Sequence, residues 1–296
     1  MPTVNLLTID VEEYFHPSEL QRTVPMDRWD SLPSRVEMQT DRTLELVAKH
    51  SVRATFFVLG WVAERYPRLV RKIAAAGHEI GCHSYAHQLV YSLTPEEFRR
   101  DTERALAAIA DAVGERPRAY RAPSYSITRQ SSWALEILVE CGIQCDSSIY
   151  PIAHDRYGIP GFGRHVQSIR TPSGVLLEVP IATAQLAGGS MAPVGGGAYL
   201  RLLPYRYTAA GIRRINRMEQ QPACIYFHPW EIDPEQPKLA EGFLSRVRTY
   251  TGLGGMERKL NRLLSDFQFS TIASIYPYEK ADLFQASTLE LLPSAP

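Results

Sequence analysis

Short apolar runs rich in β-branched residues alternate along the chain with longer segments in which apolar residues recur at helical spacing. This alternation predicts β-strands that are connected by α-helices. The predicted strands cover residues 4–10, 54–59, 79–82, 119–121, 144–147, 176–180, 223–227 and 270–275. The predicted helices cover residues 42–49, 61–76, 95–113, 129–141, 208–220 and 255–264. Repeated strand–helix units of this kind predict an α/β fold, either a barrel or a doubly wound sheet.

Two of these helices have clear boundary signals. Thr94 precedes Pro95 and two glutamates, which gives the helix an N-cap, a proline at its first position and acidic residues in its first turn. Gly77 follows the helix at 61–76 and predicts that it ends in a left-handed turn.

Residues 151–206 lack this regularity and contain several prolines, Gly188-Gly189 and the triplet Gly195-Gly196-Gly197. We predict one strand in this region, at 176–180, flanked by long loops. The region is expected to be an insertion in a single domain that spans residues 1–286. Residues 287–296 are expected to form a loose tail.

The charge balance and the lack of long apolar runs exclude some classes of partner. The 296 residues include 32 Lys and Arg and 32 Asp and Glu, so no overall field favours nucleic acid or an anionic membrane. No apolar run reaches the roughly 18 to 20 residues that a membrane-spanning helix needs. The first residues also lack the features of a signal peptide. We therefore expect no nucleic-acid partner, no transmembrane segment and a cytoplasmic location.

The four cysteines, Cys82, Cys141, Cys145 and Cys224, stand among apolar neighbours. This setting predicts buried and reduced thiols. Cys141 and Cys145 form no larger pattern of metal-ligating residues, so a structural zinc site is not predicted.

Titratable side chains stand at the carboxyl ends of five predicted strands, which is the edge where an α/β barrel builds its active site. They are Asp10, Glu12 and Glu13 after the first strand, His83 and His87 after the third, Arg121 after the fourth, Asp146 after the fifth and His228 after the seventh. Because these strand ends would meet at one face of the barrel, we expect them to form one site.

His83 and His87 are four residues apart, a spacing that places two imidazoles on one side of a helical turn. With a carboxylate from the first strand they would form a metal site that keeps an open position. Asp10 and Glu12 supply two such acids, one for the metal and one to act on a water molecule. The alternative for the acids is a solvated pair at the edge of the sheet.

A buried Asp10 would need a partner, and Arg121 is the natural one. Asp146 could orient the imidazole of His228 in the same way and keep it available as an acid. Nucleophilic catalysis has no comparable support, since the chain has no Gly-x-Ser-x-Gly sequence.

In their order along the chain, these motifs resemble those of the polysaccharide deacetylases, also called the NodB homology or carbohydrate esterase 4 family. The similar segments are 8–12, 83–87, 121–125, 146–150 and 225–228, and the resemblance covers roughly residues 4–276. Segments 10–15 and 228–231 further resemble the subgroup found with exosortase and exopolysaccharide gene clusters. The resemblance implies a distorted (β/α)7 barrel.

The resemblance also implies catalytic roles. Asp10 would be the general base, with Arg121 tuning it, and His228 would be the general acid, with Asp146 tuning it. The backbone N–H groups near Ser124 and Tyr125 would help to bind the oxyanion. These two residues depart from the family pattern, in which an aromatic residue directly follows the proline.

His83 and His87 would be metal ligands according to the same resemblance. The family commonly has a second, metal-binding aspartate where this chain has Val11, but some members use an Asp-x-Asp spacing. Glu12 is therefore the candidate third ligand. The implied cofactor is a divalent metal ion, zinc in the first place and cobalt as the alternative.

The implied activity is removal of N-acetyl groups, which are linear amides, from an amino sugar of a cell-surface polysaccharide or its precursor. One rival is a metal-independent cyclic-amide hydrolase resembling the allantoinases, which Glu12 in place of an aspartate favours. Another is a non-catalytic glycan-binding barrel. Asp10 and His228 argue against that rival, because binding alone needs neither a base nor an acid.

The segment 188–206 lies between two predicted strands, and part of it is expected over the barrel mouth. Its apolar side chains, Met191, Tyr199, Leu200 and Leu203, are predicted to contact a sugar ring or an acyl carrier, with Tyr199 stacked on a pyranose face. The alternative is that they cover the end of the barrel.

Overall fold

The structure, a computed structural model, describes residues 2–185, 189 and 191–292. Gly188 and residues 293–296 of the predicted tail lie outside the described residues. The strands are β1 (Val4–Val11), β2 (Thr55–Val58), β3 (Glu79–Cys82), β4 (Ala119–Tyr120), β5 (Cys145–Asp146), β6 (Gln167–Thr171), β7 (Gly174–Glu178), β8 (Thr183–Gln185), β9 (Met191–Pro193), β10 (Cys224–Phe227) and β11 (Gln268–Ser270). The helices are α1 (Val36–Lys49), α2 (Gly60–Arg65), α3 (Pro67–Ala75), α4 (Pro95–Val113), α5 (Ala134–Glu140), α6 (Ala198–Leu202), α7 (Tyr205–Met218), α8 (Phe243–Tyr250), α9 (Leu253–Asp266) and α10 (Ile272–Ile275).

Seven strands run parallel in one sheet, in the order β10-β1-β2-β3-β4-β5-β7. β6 pairs antiparallel with β7 at one edge of this set, and β11 pairs parallel with the start of β1, which lies inside the set. β8 and β9 form a separate two-stranded ribbon. Because parallel neighbours need crossover connections, helices lie between most consecutive strands of the parallel set. The expected α/β fold is confirmed.

Irregular backbone closes the gap between β7 and β10, the outermost of the seven parallel strands. The Ala182 N–H donates to the Cys224 carbonyl (3.1 Å), and the Tyr226 N–H donates to the Gly195 carbonyl (2.6 Å). Gly196 has a φ of +127°, and a Cβ there would lie 1.9 Å from the Tyr226 carbonyl oxygen, so only glycine fits. The sheet is therefore a distorted (β/α)7 barrel, as expected, with a seam along one side.

Side chains of the barrel strands alternate between two apolar clusters. Phe56 and Val58 of β2 pack with the surrounding helices, whereas Phe57 packs in the barrel interior with Leu6 and Leu177. This alternation follows from the period of two in a strand. Both faces of the strands are thus buried.

Two predicted elements differ from the structure for local reasons. The helix expected over 61–76 is divided into α2 and α3, because Pro67 drives Tyr66 out of the helical region (φ −124°, ψ 55°). The strand expected over 270–275 ends at Ser270. There Thr271 caps α10 by accepting a hydrogen bond from the Ser274 N–H (3.1 Å).

Residues 151–206 are more regular than expected. Besides β7 they contain β6, α6 and the described strands β8 and β9, and β6 and β7 form an antiparallel hairpin. The prediction of a single strand in long loops was wrong. β6 combines one isoleucine with Gln, Ser, Arg and Thr, so it has no apolar period to detect.

The described part of the predicted tail, residues 287–292, is attached to the barrel. The Ser287 N–H donates to the Ser168 carbonyl (2.7 Å), and the Leu292 N–H donates to the Ser132 hydroxyl (2.9 Å). Leu289 packs against the larger apolar cluster. The expectation of a loose tail does not hold for these six residues.

The four cysteines are buried and free, as expected. In the part of the chain that the structure describes, no helix combines the length and the apolar character that a membrane crossing requires.

Candidate active site

The carboxyl ends of the parallel strands surround a cleft of about 170 Å³. Seven of the predicted site residues line it: Asp10, Glu12, His83, His87, Ser124, Tyr125 and His228. Strand ends of a parallel barrel meet at one face, which explains why residues so far apart in sequence come together. Arg121 lies behind Asp10, and Asp146 and Tyr199 are not among the lining residues.

Glu12, His83 and His87 form a compact group in which one ligand atom of each residue lies within 4.8 Å of the others. His83 Nδ1 lies 2.8 Å from the Arg121 carbonyl oxygen. Since a carbonyl only accepts, Nδ1 carries the proton and Nε2 keeps its lone pair for a metal. Burial lowers the pKa of His83 to about 4, so its imidazole is neutral at pH 7, which is the form that binds metals.

Glu12 also fits a metal ligand. Its Oε1 accepts a hydrogen bond from Trp230 Nε1 (2.9 Å). Its Oε2 is buried and, although His87 Nε2 lies 2.7 Å away, those two atoms are not aligned for a hydrogen bond. Burial opposes ionisation of Glu12, but the nearby charges of His87 and His228 outweigh it and hold the pKa of Glu12 below its usual value. An unsatisfied buried carboxylate oxygen is costly, and a cation would remove that cost.

The segment 83–87 is a strained turn rather than the helical turn that we expected. Ser84 and His87 have φ values of 62° and 51°, a region that non-glycine residues rarely occupy. Asp101 of α4 accepts hydrogen bonds from two consecutive N–H groups of the turn (2.8 and 3.0 Å). Gln21 donates to the His87 carbonyl (2.7 Å). These bonds hold both imidazoles toward the cleft.

Asp10 and Arg121 form the ion pair that the sequence predicts. Arg121 Nη1 donates to Asp10 Oδ1 (2.9 Å) and to the Thr8 hydroxyl (2.7 Å). The guanidinium also donates to the Ser147 carbonyl and hydroxyl (3.0 and 2.7 Å) and lies 4.3 Å from the Phe57 ring centre. Arg121 thereby fixes one oxygen of Asp10, while the other oxygen lies 3.9 Å from His228 Nε2.

His228 is oriented by Glu231. His228 Nδ1 lies 3.1 Å from Glu231 Oε2, and its Nε2 faces Glu12 Oε1 at 3.6 Å. Burial alone would lower the pKa of His228. The negative charges of Glu12, Glu231 and Asp10 outweigh burial and raise that pKa to about 9. His228 is therefore protonated at pH 7, as a general acid must be.

Arg201 completes this arrangement from the other side of Glu231. Its Nε donates to Glu231 Oε1 (2.8 Å), and its two terminal nitrogens donate to the carbonyls of Thr251 (2.5 Å) and Arg248 (2.6 Å). Sequence reasoning missed both roles. The spacing of three between His228 and Glu231 was a usable signal, but nothing in the sequence links Glu231 to Arg201, thirty residues before it.

The predicted contact between Asp146 and His228 is not formed. Glu231 follows His228 in a single 3-10 turn, Pro229–Ile232, and its carboxylate reaches the imidazole that Asp146 was expected to orient. Asp146 instead accepts a hydrogen bond from the Ser148 hydroxyl (2.6 Å). This hydroxyl accepts in turn from the Ala122 N–H (2.7 Å), so Asp146 supports the segment that leads to Ser124.

Glu178 lies directly opposite Asp146 in the register of β5 and β7, and both side chains are fully buried. Burial raises the pKa of both carboxyl groups, that of Glu178 well above its usual value. Two adjacent buried carboxyls cannot both ionise at low cost, so the pair holds one proton. Glu178 is not among the residues that the sequence predicts for the site.

Ser124 and Tyr125 both have left-handed backbone, with φ values of 51° and 55°. The Tyr125 N–H donates to the Ala122 carbonyl (3.1 Å) and is therefore engaged. Among the described residues, the Ser124 N–H has no hydrogen-bond partner, and Ser124 lines the cleft. Of these two N–H groups, that of Ser124 is the one that can donate a hydrogen bond to an oxyanion.

Tyr199 lies behind the cleft wall. Its hydroxyl is 3.4 Å from that of Tyr157, and its ring meets Tyr150 edge to face. Leu200 is fully buried, and Met191 packs against the inner cluster. This packing fits the alternative that the apolar side chains cover the end of the barrel. Leu203 is half-buried.

Glu13 has a structural role that sequence reasoning also missed. Its carboxylate accepts hydrogen bonds from the N–H groups of Arg35 (3.1 Å) and Val36 (3.3 Å), at the start of α1. A carboxylate at a helix N-terminus satisfies donors that the helix leaves free. This long-range cap explains why α1 begins at Val36, six residues before the predicted start.

Comparison with known families divides the chain in two. Residues 28–145 match the family described as polysaccharide deacetylase, and residues 147–277 match a domain of unknown function, DUF3473. His83, His87 and Arg121 fall in the first match, and Arg201, His228 and Glu231 fall in the second. Asp10 and Glu12 precede both.

Two curated relatives resemble part of the chain. The chain is 35% identical over 98 residues to a peptidoglycan-N-acetylglucosamine deacetylase of Bacillus cereus. This aligned region covers 33% of the chain and 36% of that protein. The chain is 28% identical over 142 residues to a chitooligosaccharide deacetylase of Rhizobium leguminosarum bv. trifolii. This aligned region covers 47% of the chain and 63% of that protein. The chain thus spans about a third to under two thirds of the length of these relatives.

One solved structure matches almost the whole chain. It is a crystal structure from Mycobacterium smegmatis, named as a polysaccharide deacetylase candidate, with a TM-score of 0.64. The sequences are 19% identical, and the match covers 99% of both chains. This likeness supports the fold.

Proposed function

We propose that the protein is a metal-dependent hydrolase that removes N-acetyl groups from amino sugars of a polysaccharide or its precursor, because residues 28–145 match the family described as polysaccharide deacetylase. The observation that carries this proposal is the convergence of three functions in one cleft. They are a carboxylate base at Asp10, the ligand group of Glu12, His83 and His87, and a protonated imidazole at His228.

A divalent ion held by Glu12, His83 and His87 would polarise the acetamide carbonyl and lower the pKa of the attacking water. Two imidazoles and one carboxylate form a ligand set that suits zinc, and cobalt is the alternative. The hydrogen bond from His83 Nδ1 to the Arg121 carbonyl supports this proposal, because it directs Nε2 toward the ligand group.

Asp10 acts as the general base. Arg121 holds Oδ1, so Oδ2 is the oxygen that accepts a proton from the attacking water. A carboxylate fixed by a buried guanidinium keeps its position during this transfer, and positioned bases typically accelerate reactions about 10² to 10⁴-fold.

Ser124 and His228 act on the two ends of the amide. The Ser124 N–H donates to the carbonyl oxygen as that oxygen gains negative charge. His228 Nε2 gives its proton to the amide nitrogen as the C–N bond breaks, which yields acetate and a free sugar amine. Glu231 and Arg201 keep the imidazole in the orientation that this proton transfer needs.

The substrate class follows from the relatives. Their names refer to peptidoglycan N-acetylglucosamine and to chitooligosaccharides, so we take an N-acetylglucosamine-containing glycan as the substrate. The resemblance of segments 10–15 and 228–231 to the exosortase-associated subgroup favours an exopolysaccharide or its precursor. The cytoplasmic location stays a prediction.

Acetate release tests this function. The purified protein is loaded with zinc and incubated with N-acetylglucosamine oligomers, and the acetate is quantified before and after exhaustive chelation. We expect acetate release that chelation abolishes and zinc restores. Release that survives chelation would contradict the metal dependence. Hydrolysis of a cyclic amide without acetate release would favour the cyclic-amide hydrolase type, and glycan binding without release would favour the non-catalytic barrel.

A further inference from the structure

The mouth of the cleft carries a positive charge that the proposed reaction does not use. Arg248 of α8 lines the cleft together with His154 and Arg156. We propose that Arg248 forms a subsite for an anionic group of the substrate, a carboxylate or a phosphate, beside the acetamido group that is cleaved. This inference rests on the proposed function and names the class of glycan that the site selects.

The other charges of the cleft wall are already compensated. Asp10 pairs with Arg121 (2.9 Å), Glu231 pairs with Arg201 (2.8 Å), and Glu19 pairs with Arg156. Glu12, the remaining acid of the wall, belongs to the ligand group. In the part of the chain that the structure describes, no carboxylate pairs with the Arg248 guanidinium, so its charge is available to a ligand.

Arg248 has a fixed position relative to the reacting groups. Its carbonyl accepts a hydrogen bond from Arg201 Nη2 (2.6 Å), and Arg201 holds Glu231, which orients His228. The backbone of Arg248 is thus tied to the general acid through two buried side chains, whereas the Arg248 side chain is exposed. A cation whose backbone is held in place in this way can determine which acetamido group of the glycan reaches the reacting groups.

Flat apolar surfaces flank this charge. His154 stacks on Tyr157 with ring centres 3.8 Å apart. Burial lowers the pKa of His154, and the negative charge of Asp155 opposes this effect. The positive charges of Arg156 and Arg248 lower the pKa of His154 further, because both guanidinium groups lie near its imidazole. Tyr91, which is 38% exposed, also lines the cleft. Tyrosine faces suit pyranose rings, and the guanidinium suits the acidic group that a ring carries.

Two kinds of substrate offer such a group. A uronic acid next to the amino sugar presents a carboxylate, and a precursor presents a phosphate at its reducing end. Both match the planar fork of an arginine, which forms two parallel hydrogen bonds to either group. A lysine would supply the charge without this geometry.

The experiment compares three oligosaccharides of equal length. One is a neutral N-acetylglucosamine oligomer, one alternates N-acetylglucosamine with glucuronic acid, and one is the neutral oligomer with a phosphate at its reducing end. The zinc-loaded enzyme should show a KM about tenfold lower for one of the two anionic oligomers than for the neutral one, because charge-assisted hydrogen bonds are about twice as strong as neutral ones. The preferred anionic oligomer identifies the source of the charge.

Variants of α8 test whether Arg248 is responsible. Arg248→Gln should bring the ratio of the neutral to the anionic KM close to one, and Arg248→Lys should restore part of it. Arg246→Gln is the matched control, because Arg246 is exposed on the same helix and does not line the cleft. Its KM ratio should equal that of the wild type. Equal KM values for all three oligomers in the wild type, or a preference that survives Arg248→Gln, would overturn the inference.

Calorimetry separates this inference from the proposed function. If no oligomer releases acetate, the proposed function fails, and binding of the same oligomers is then measured directly. Tighter binding of an anionic oligomer that Arg248→Gln abolishes would still support the subsite. Equal binding by the two proteins would contradict it.

Discussion

The two sides of the cleft are built by different means. On the side of the proposed base and ligand group, Asp10, His83 and Arg121 stand at the ends of the strands β1, β3 and β4, and buried hydrogen bonds connect them. On the side of the proposed acid, His228 also ends a strand, but Glu231 and Arg201 come from a 3-10 turn and a short helix.

This difference shows that the position of a site residue and the identity of its partner are determined by different features of the fold. Position at a strand end is set by the sheet, so residues at strand ends can be assigned to the site from the order of elements alone. The partner of a residue is set by which segment reaches it, and on the acid side Glu231 reaches His228 where Asp146 was expected. Finding the site is therefore easier than finding the network that tunes it.

The largest effect should come from the ligand group. His83→Ala should abolish both zinc content and acetate release, because it removes one of the three ligands. Elemental analysis of the purified variant and the acetate assay provide the measurements. His50→Ala is the control, since His50 lies outside the ligand group and does not line the cleft. Full zinc occupancy in His83→Ala would refute the ligand assignment.

Asp10→Asn should remove the proposed base on the same side of the cleft and leave the zinc ion bound. We expect retained zinc and a loss of kcat of about 10² to 10⁴-fold, the usual effect of losing a positioned base. The asparagine can still accept from Arg121, so the fold should be kept, and a thermal melt checks this. If the variant loses zinc instead, Asp10 is a ligand, and the roles of Asp10 and Glu12 must be exchanged.

The acid side is tested by comparing Glu231→Gln with Asp146→Asn. Removing the negative charge of Glu231 should lower the pKa of His228, which is about 9 in the intact site. The basic limb of the pH profile of kcat should then move to lower pH, and kcat at pH 8 should fall roughly tenfold. Asp146→Asn should leave that limb in place. A shift in Asp146→Asn alone would restore the original assignment of Asp146.

The smallest effect concerns stability and the pair of Asp146 and Glu178. The pKa of Glu178 is raised in the folded protein, so folding favours its protonated form, and stability is lost as pH rises above the unfolded value. The amide that Glu178→Gln introduces can donate to Asp146 without taking up a proton. The variant should gain about 1 kcal/mol in the free energy of unfolding over the wild type between pH 5 and pH 8. Glu290→Gln, at an exposed position, should show no such trend in thermal melts.

The sequence predicted elements well where local chemistry determines them. β3 and α4 have the predicted ends, and the capping box of Thr94 and Glu97 together with Gly114 accounts for both ends of α4. Elements that depend on distant residues were predicted less well. The start of α1 depends on Glu13, and β6 depends on pairing with β7.

The same distinction holds within the site. The contact of Asp10 with Arg121 was predictable, because a carboxylate at the end of a buried strand requires a cation. The pair of Glu231 and Arg201 was not predictable, since the two residues come from different elements and neither follows a periodic pattern. The position of Glu178 opposite Asp146 depends on the register of two strands, which the sequence does not reveal.

The two stretches that the family comparison separates build one barrel. The family match at 28–145 contains β2, β3, β4 and only the first residue of β5, whereas β7, β10 and the residues of the seam lie in the match at 147–277. A gene encoding the first stretch alone would produce a sheet whose apolar edges invite pairing with other chains. The barrel is therefore closed only when both stretches are present.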